Sequence, residues 1–408
     1  MAEKYQIVNN DLSTREKVSL DFINADVVAK ARKFHATFDE YETTPLVELS
    51  NLAEHLGLKG IYVKDESYRF GLNAFKVLGG AFAIGKYIAE KMGVDIDELP
   101  ASRLTSQEVK DKLGEVTFVS ATDGNHGRGV AWAAQTLGQK CVIIMPDGSA
   151  IERRDNIRKL GAKCDIMDGM NYDDCVRLAS KYADEEGWVM VQDTAWDGYE
   201  KIPTWIIQGY STMALEAKEQ LEAYGHKRPT HIFVQAGVGS LATGVTGFFS
   251  SVYQGDDKPV ITVVEPEQAN CNFITAQAND GKLHFVTGEM RTIMAGLACG
   301  EPVTVGWPVL NSYVDHFMSV PDTAAAHGMR VLGNPLKGDE RVISGESGAA
   351  TFGVLYELMT REDLAEFKEQ IGLNSESVVL LFSTEGDTDF EHYRKVVWDG
   401  KYPNVECN

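Results

Sequence analysis

Lys76 stands in SYRFGLNAFKVLGG (67–80), flanked by Phe75, Val77 and Leu78 and followed by Gly79-Gly80. A lysine in so apolar a neighbourhood is either a surface residue that snorkels or a desolvated amine with a lowered pKa. Taken alone, the surface reading is the commoner one, because most lysines are solvated. A desolvated amine, however, is what an imine-forming nucleophile needs. SATDGNHGRG (120–129) follows an apolar run and precedes a helix-like segment. Its backbone N–H groups around Gly124, Asn125 and His126 would form a carboxylate site at a helix N-terminus. The plain alternative is a helix cap made by Asp123 or Asn125. Asp, Asn and His within this turn are more polarity than a cap requires.

Two further stretches share that placement. In QAGVGSLATG (235–244), Gly237, Val238, Gly239 and Ser240 form a turn whose N–H groups suit a phosphate. It is not the dinucleotide pattern, whose third glycine is replaced here by Ala242. LLFSTEGDTD (380–389) ends a buried-strand candidate with Ser383 and Thr384. Those hydroxyls belong either to an ordinary turn or to a contact with a heterocycle nitrogen. Asp193, in VQDTAWDGYEKIP (191–203), ends another strand-like run; Asp197 reads as a helix cap.

Elements of a particular kind must hold these loops. Apolar runs at 115–120, 141–146, 164–167, 188–193, 231–237, 259–266 and 378–383 are rich in β-branched residues and alternate with helix-like segments. That alternation predicts an α/β fold with largely parallel sheets flanked by helices. The polar stretch 93–114 suggests one domain border and 198–205 a second. Residues 1–92 with 202–408 are therefore expected to form a large discontinuous domain, and 93–201 a small one of ordinary α/β size.

Composition removes several function classes. Acidic residues number 60 against 39 basic ones, a formal charge of −21, so phosphate backbones are repelled and no nucleic-acid partner is expected. No apolar run approaches the ~20 residues that cross a bilayer, and no membrane association is expected. The polar start, MAEKYQIVNN, offers no leader, and the expected location is the cytoplasm. Cys141, Cys164, Cys175, Cys271, Cys299 and Cys407 show no zinc or disulfide spacing, and His126 and His316 no metal-ligand spacing. No metal site is expected. Cys141 and Cys164 open strand-like runs and read as small core residues.

Taken together and in this order, these stretches resemble the fold-type II pyridoxal phosphate (PLP) enzymes, the group of tryptophan synthase β, the serine/threonine dehydratases and cysteine synthase. Within that group the sequence is most similar to the diaminopropionate ammonia-lyases. The resemblance spans about residues 45–390 and rests on NAFKVLGG, TDGNHG, GVGSLATG, VVEPEQA, SGESGAATFG and STEGD. It implies two domains with the active site in the cleft between them. PLP would be linked to Lys76 beside Phe75, with its phosphate on Gly237, Val238, Gly239 and Ser240. Its 3-oxygen would meet Asn125, and its ring nitrogen Ser383, with Thr384 as the close alternative. The substrate carboxylate would settle on Thr122, Asp123, Gly124, Asn125 and His126 of the small domain. A homodimer acting on a small amino acid is likewise implied.

A carboxylate sets this chain apart from its dehydratase relatives, which carry serine where Asp123 stands. Asp193, in a block similar to the ammonia-lyase subgroup, supplies a second acid. An amine leaving group must be cationic as its bond breaks, and a nearby carboxylate favours that charged form. The expected reaction is α,β-elimination of 2,3-diaminopropionate, in both D and L forms, to pyruvate and two ammonia. Lys76, Asp123 and Asp193 are the expected catalytic residues, with Lys76 as base at Cα. A serine or threonine dehydratase of the same fold is the alternative.

Overall fold

The structure, a computed structural model, describes residues 5–122 and 124–403. Its strands are β1 (Gln6–Asn9), β2 (Leu46–Glu48), β3 (Gly60–Asp65), β4 (Thr117–Ala121), β5 (Lys140–Pro146), β6 (Lys163–Met167), β7 (Val189–Met190), β8 (His231–Gln235), β9 (Val260–Pro266), β10 (His316–Val320) and β11 (Val378–Ser383). They build two sheets. One has the order β1-β10-β9-β8-β11-β3-β2, parallel from β10 to β3 with an antiparallel strand at each edge. The other, β6-β5-β4-β7, is parallel throughout. The expected fold class is the one observed.

β3, β8, β10 and β11 are buried along their whole length, as strands covered on both faces must be. β3 and β10 were not among the apolar runs because charged and polar residues interrupt them. Lys64 in β3 is fully buried yet satisfied: its Nζ lies 2.7 Å from Glu216 Oε2 and donates to Thr44 O at 2.6 Å and Gln220 Oε1 at 2.8 Å. Paired in this way, a charge is tolerated in a core strand that hydropathy alone would reject.

The chain divides into two compact units, one of Met1–Asn24, Thr44–Tyr68 and Met213–Asn408, the other of Ala25–Thr43 and Arg69–Thr212. The seven-stranded sheet belongs to the first and the four-stranded sheet to the second. Both expected borders therefore move: 25–43 and 69–92 pack with 93–212, and the second border lies at 212/213 in place of 201/202. The polar stretch 93–114 is not a linker. It forms short helices, Ala101–Leu104 and Gln107–Leu113, and buries Leu99, Leu104 and Val109. The helix Val77–Met92 is buried along most of its length, chiefly by glycine and alanine positions that admit neighbouring helices closely. Cys141 and Cys164 are buried on adjacent strands, as expected of small core residues.

Candidate active site

In the four-stranded sheet β4 and β7 are parallel neighbours, so their C-terminal ends carry Thr122, the helix start at Asn125 and Asp193 to one edge. β7 is short, but the next residues still follow β4. Val191 N donates to Val119 O at 2.9 Å, and the Gln192 side chain then replaces a peptide group. Its Oε1 accepts from Ala121 N (2.9 Å) and Ser120 Oγ (3.0 Å), and its Nε2 donates to Ala121 O (2.9 Å). The Tyr199 hydroxyl accepts from Gln192 N at 2.8 Å and donates to Met190 O at 3.0 Å, locking the segment that ends in Asp193.

Close backbone packing places Lys76. A Cβ on Gly129, in the helix Asn125–Thr136, would lie 2.7 Å from Val77 N; one on Gly209 would lie 2.5 Å from Leu78 O. Only glycine permits both approaches, and they seat the start of the Lys76 helix against two others. His35 secures it further, its Nε2 donating to Leu78 O at 2.9 Å while Nδ1 meets Thr212 Oγ1 at 2.9 Å.

Lys76 Nζ meets Asp193 Oδ2 in a close ion pair, with side chains 20% and 7% exposed. The Tyr210 hydroxyl donates to the same oxygen at 3.3 Å, and Phe75 lies against the Tyr210 ring with centroids 4.6 Å apart. His126 Nδ1 is 3.7 Å from that oxygen, while its Nε2 donates to Val191 O at 2.8 Å. Burial opposes ionisation of Asp193, but the charges of His126 and Lys76 and the Lys76 hydrogen bond hold its pKa well below the usual carboxylate range. Burial, reinforced by the Asp193 charge, pushes the Tyr210 phenol well above its ordinary value and keeps it a donor.

The sequence implies a desolvated amine at Lys76; the structure pairs that amine with an anion. Asp193 and Lys76, 117 residues apart in the chain, are brought into contact. His126, expected among the substrate-carboxylate residues, is buried with its imidazole turned to Val191 and Asp193. Thr122 serves as a cap: its Oγ1 accepts from Gly124 N (3.0 Å) and Gly127 N (3.2 Å), so the Gly124 amide already has a partner. Asn125 is the first residue of its helix. Asp123 lies outside the described residues, as does Cys407.

In the seven-stranded sheet β8 and β11 are parallel neighbours and deliver the other two loops to one sheet edge. The turn after β8 ends in Gly239 (φ +105°), directly before the helix Ser240–Val252, and Val238 and Ser240 are buried. Asn272 holds this turn from outside, its Nδ2 donating to Gly237 O at 2.9 Å and to Glu265 Oε1 at 3.0 Å. Glu265 also accepts from Asn272 N (2.9 Å) and Phe273 N (2.6 Å); burial still pushes its carboxyl up to about 8. Cys271 and Cys299 both flank Gly237. The Cys271 thiol is 3.6 Å from Gly237 O, and a Cβ on Gly237 would meet Cys299 Sγ at 3.2 Å. Ser383 Oγ is 2.8 Å from Ser344 Oγ. Gln235 Nε2 donates to Phe382 O (2.9 Å) and to Thr384 Oγ1 (2.8 Å).

Gln192, Tyr199, Tyr210, Gln235, Glu265 and Asn272 had no assigned role in the sequence reading. Their one signal was a polar residue at the end of a strand-like run, visible for Gln192, Gln235 and Glu265 only.

Residues 37–383 match the family described as pyridoxal-phosphate dependent enzyme. The chain belongs to this family. Its cofactor is pyridoxal 5′-phosphate. The chain is 49% identical over 403 residues to a diaminopropionate ammonia-lyase of Salmonella typhimurium, covering 97% of this chain and 99% of that one. It is 52% identical over 373 residues to the diaminopropionate ammonia-lyase of Escherichia coli K12, 91% of each. The crystal structure of diaminopropionate ammonia lyase from Escherichia coli in complex with D-serine superposes with a TM-score of 0.91 at 48% identity, covering 98% of both chains.

The residues present suit PLP. The Gly237–Ser240 turn offers N–H groups at a helix N-terminus, where an anion is favoured, and Asn272 atoms are packed close against Gly239. Gly239→Ala puts a Cβ 3.1 Å from Asn272 Oδ1 at a φ that L side chains avoid. We expect it to destabilise the turn by about 1–3 kcal/mol and to weaken PLP binding at least about tenfold. Titration of the apoenzyme with PLP, followed by absorbance, checks this; an unchanged Kd would show that the turn does not hold the phosphate.

Proposed function

We propose that the chain is a diaminopropionate ammonia-lyase, a carbon–nitrogen lyase that converts 2,3-diaminopropionate and water to pyruvate and two ammonia. The observation that carries this reading is the Asp193 carboxylate, kept ionised beside Lys76. Such an anion suits a β-amine that must be held protonated, as ammonium, until it departs as ammonia, and a hydroxyl-eliminating enzyme has less use for it.

In this reading Lys76 carries PLP, and the Gly237–Ser240 turn takes its phosphate, with Asn125 on the 3-oxygen and Ser383 or Thr384 at the ring nitrogen. Bound PLP supplies an electron sink for the pair left at Cα. The substrate carboxylate rests on the 122–126 loop; because Thr122 already engages the Gly124 amide, the Asn125 and His126 amides carry most of that contact. Lys76 takes the Cα proton as general base, and Asp193 steadies the ammonium it becomes. Asp193 also binds the β-ammonium of the substrate. Asp123 acts as base from the opposite face of Cα, which allows the D enantiomer to react as well as the L. The working form is taken to be a homodimer, as the family resemblance implies. A cytoplasmic location accords with the buried thiols Cys141, Cys164, Cys175 and Cys271.

The test is pyruvate formation from L- and D-2,3-diaminopropionate, L-serine and L-threonine. We expect diaminopropionate to exceed serine in kcat/KM by at least about tenfold, the effect of roughly 1.4 kcal/mol at the transition state. Serine or threonine equal to diaminopropionate would instead make the chain a dehydratase. Asp123→Asn should depress the D enantiomer far more than the L; equal residual rates on both would remove Asp123 from its role.

A further inference from the structure

We propose that Gln235 fixes Thr384 as a hydrogen-bond donor to the ring nitrogen of PLP and so keeps that nitrogen unprotonated. This deepens the reading above and rests on it, since that reading brings the 383–384 hydroxyls to the ring.

Phe382 O can only accept, and one terminal atom of the buried Gln235 side chain lies 2.9 Å from it. A rotated amide would set two carbonyl oxygens at that distance, so the atom is Nε2. The same nitrogen is 2.8 Å from Thr384 Oγ1. Its two hydrogens are thus committed, one to each oxygen, and Thr384 must accept. A hydroxyl that accepts there keeps its own hydrogen for a different partner. Among the described residues no protein group accepts that hydrogen, although Thr384 is buried.

The carbonyl end of Gln235 points to the same conclusion. Its Oε1 is buried and has no hydrogen-bond partner among the described residues. The orientation of the side chain is therefore set by the two bonds at its nitrogen. Ser383 differs. Its Oγ faces Ser344 Oγ at 2.8 Å, and a pair of hydroxyls can reverse its polarity without loss. Ser383 has an outlet within the chain and Thr384 is left with one outside it, which selects Thr384 of the two.

A donor aimed at a pyridine nitrogen stabilises its neutral form and disfavours its protonation. A neutral ring holds the electron pair from Cα less deeply than a pyridinium does. Prompt loss of the β-amine is then favoured over return of the proton to Cα. Gln235 acts through Thr384 and is a positioning residue, with consequences for which reaction the site performs.

The experiment uses enzyme reconstituted with PLP labelled with ¹⁵N in the ring, and follows the ¹⁵N chemical shift as a function of pH. The unmodified enzyme should show an unprotonated nitrogen at pH 7. Gln235→Leu, which frees Thr384 to accept, should raise the protonated fraction at least about tenfold, one pKa unit. Thr384→Val should do the same by removing the donor, Thr384→Ser should restore the original signal, and Ser383→Ala should leave it in place. Should Gln235→Leu not fold by circular dichroism, the Thr384 pair supplies the same readout. A protonated nitrogen in the unmodified enzyme overturns the proposal. So does a folded Gln235→Leu with an unmoved signal, or a signal that follows Ser383 and ignores Thr384. Borohydride reduction and peptide mapping on the same samples show separately whether PLP is attached at Lys76. Attachment elsewhere would sink the underlying reading itself.

Discussion

Lys76→Ala is expected to lose pyruvate formation from diaminopropionate by about 10³-fold or more, because one amine is asked both to carry PLP and to move the Cα proton. A lactate dehydrogenase-coupled assay measures the loss. Borohydride reduction followed by mass spectrometry supplies an independent readout, since the reduced adduct should disappear from the peptide that contains residue 76. The substitution also removes a cation from beside Asp193. That carboxylate keeps the Tyr210 hydroxyl at 3.3 Å and the His126 ring at 3.7 Å, so the fold should survive. Turnover at the unmodified pace would show that the chemistry is centred elsewhere.

Asp193→Asn is expected to have the next largest effect. It exchanges the anion that faces Lys76 and His126 for a neutral amide, and should lower kcat for diaminopropionate about 10²-fold or more. Serine turnover depends on the Lys76 contact but has no β-ammonium for Asp193 to bind. The ratio of kcat/KM for diaminopropionate to that for serine should therefore fall at least about tenfold. An equal fall for both substrates would confine Asp193 to holding Lys76. Stability should change too. Breaking a well-buried ion pair costs roughly 3 kcal/mol, and the 20% exposure of the Lys76 side chain argues for no more than that.

The pH dependence carries a definite sign. The folded pKa of Asp193 lies below its unfolded value of about 3.9, so its contribution to stability is complete above that pH. The contribution is lost as pH falls from there toward the folded value. Denaturation midpoints of the unmodified enzyme should thus drop more steeply than those of Asp193→Asn below about pH 4. The two curves should run parallel at neutral pH. Parallel curves throughout would mean that Asp193 is not held in its ionised form.

The candidate loops at 122–126, 237–240 and 383–384 were legible from residue types because each follows an apolar, β-branched run. Parallel strands present their C-terminal ends at one edge, so such loops are the natural place for polar groups. The runs at 141–146, 231–237, 259–266 and 378–383 became β5, β8, β9 and β11 within a residue or two. β3 is not legible in the sequence because Lys64 and Asp65 break its apolar pattern; a partner at Glu216, 152 positions away, makes that burial tolerable. The border placed at 92/93 failed for a related reason, since polar residues at 93–114 cover a buried face of Leu99, Leu104 and Val109.

By itself, then, the sequence determined the α/β class, and it placed Lys76 in an apolar stretch and the glycine-rich turn at 237–240 and Asp193 at the ends of strand-like runs. Local order sufficed for these, because strand periodicity and turn composition are short-range properties. Only the tertiary structure decided what each group faces: Asp193 against Lys76, His126 turned away from the loop that carries it, and Gln235 against Thr384. Those pairings join strands and helices far apart in the chain, and the direction of a hydrogen bond is set by the neighbour that packing supplies. Residue type names the groups that can react; packing assigns their charge, their partners and the way their protons point.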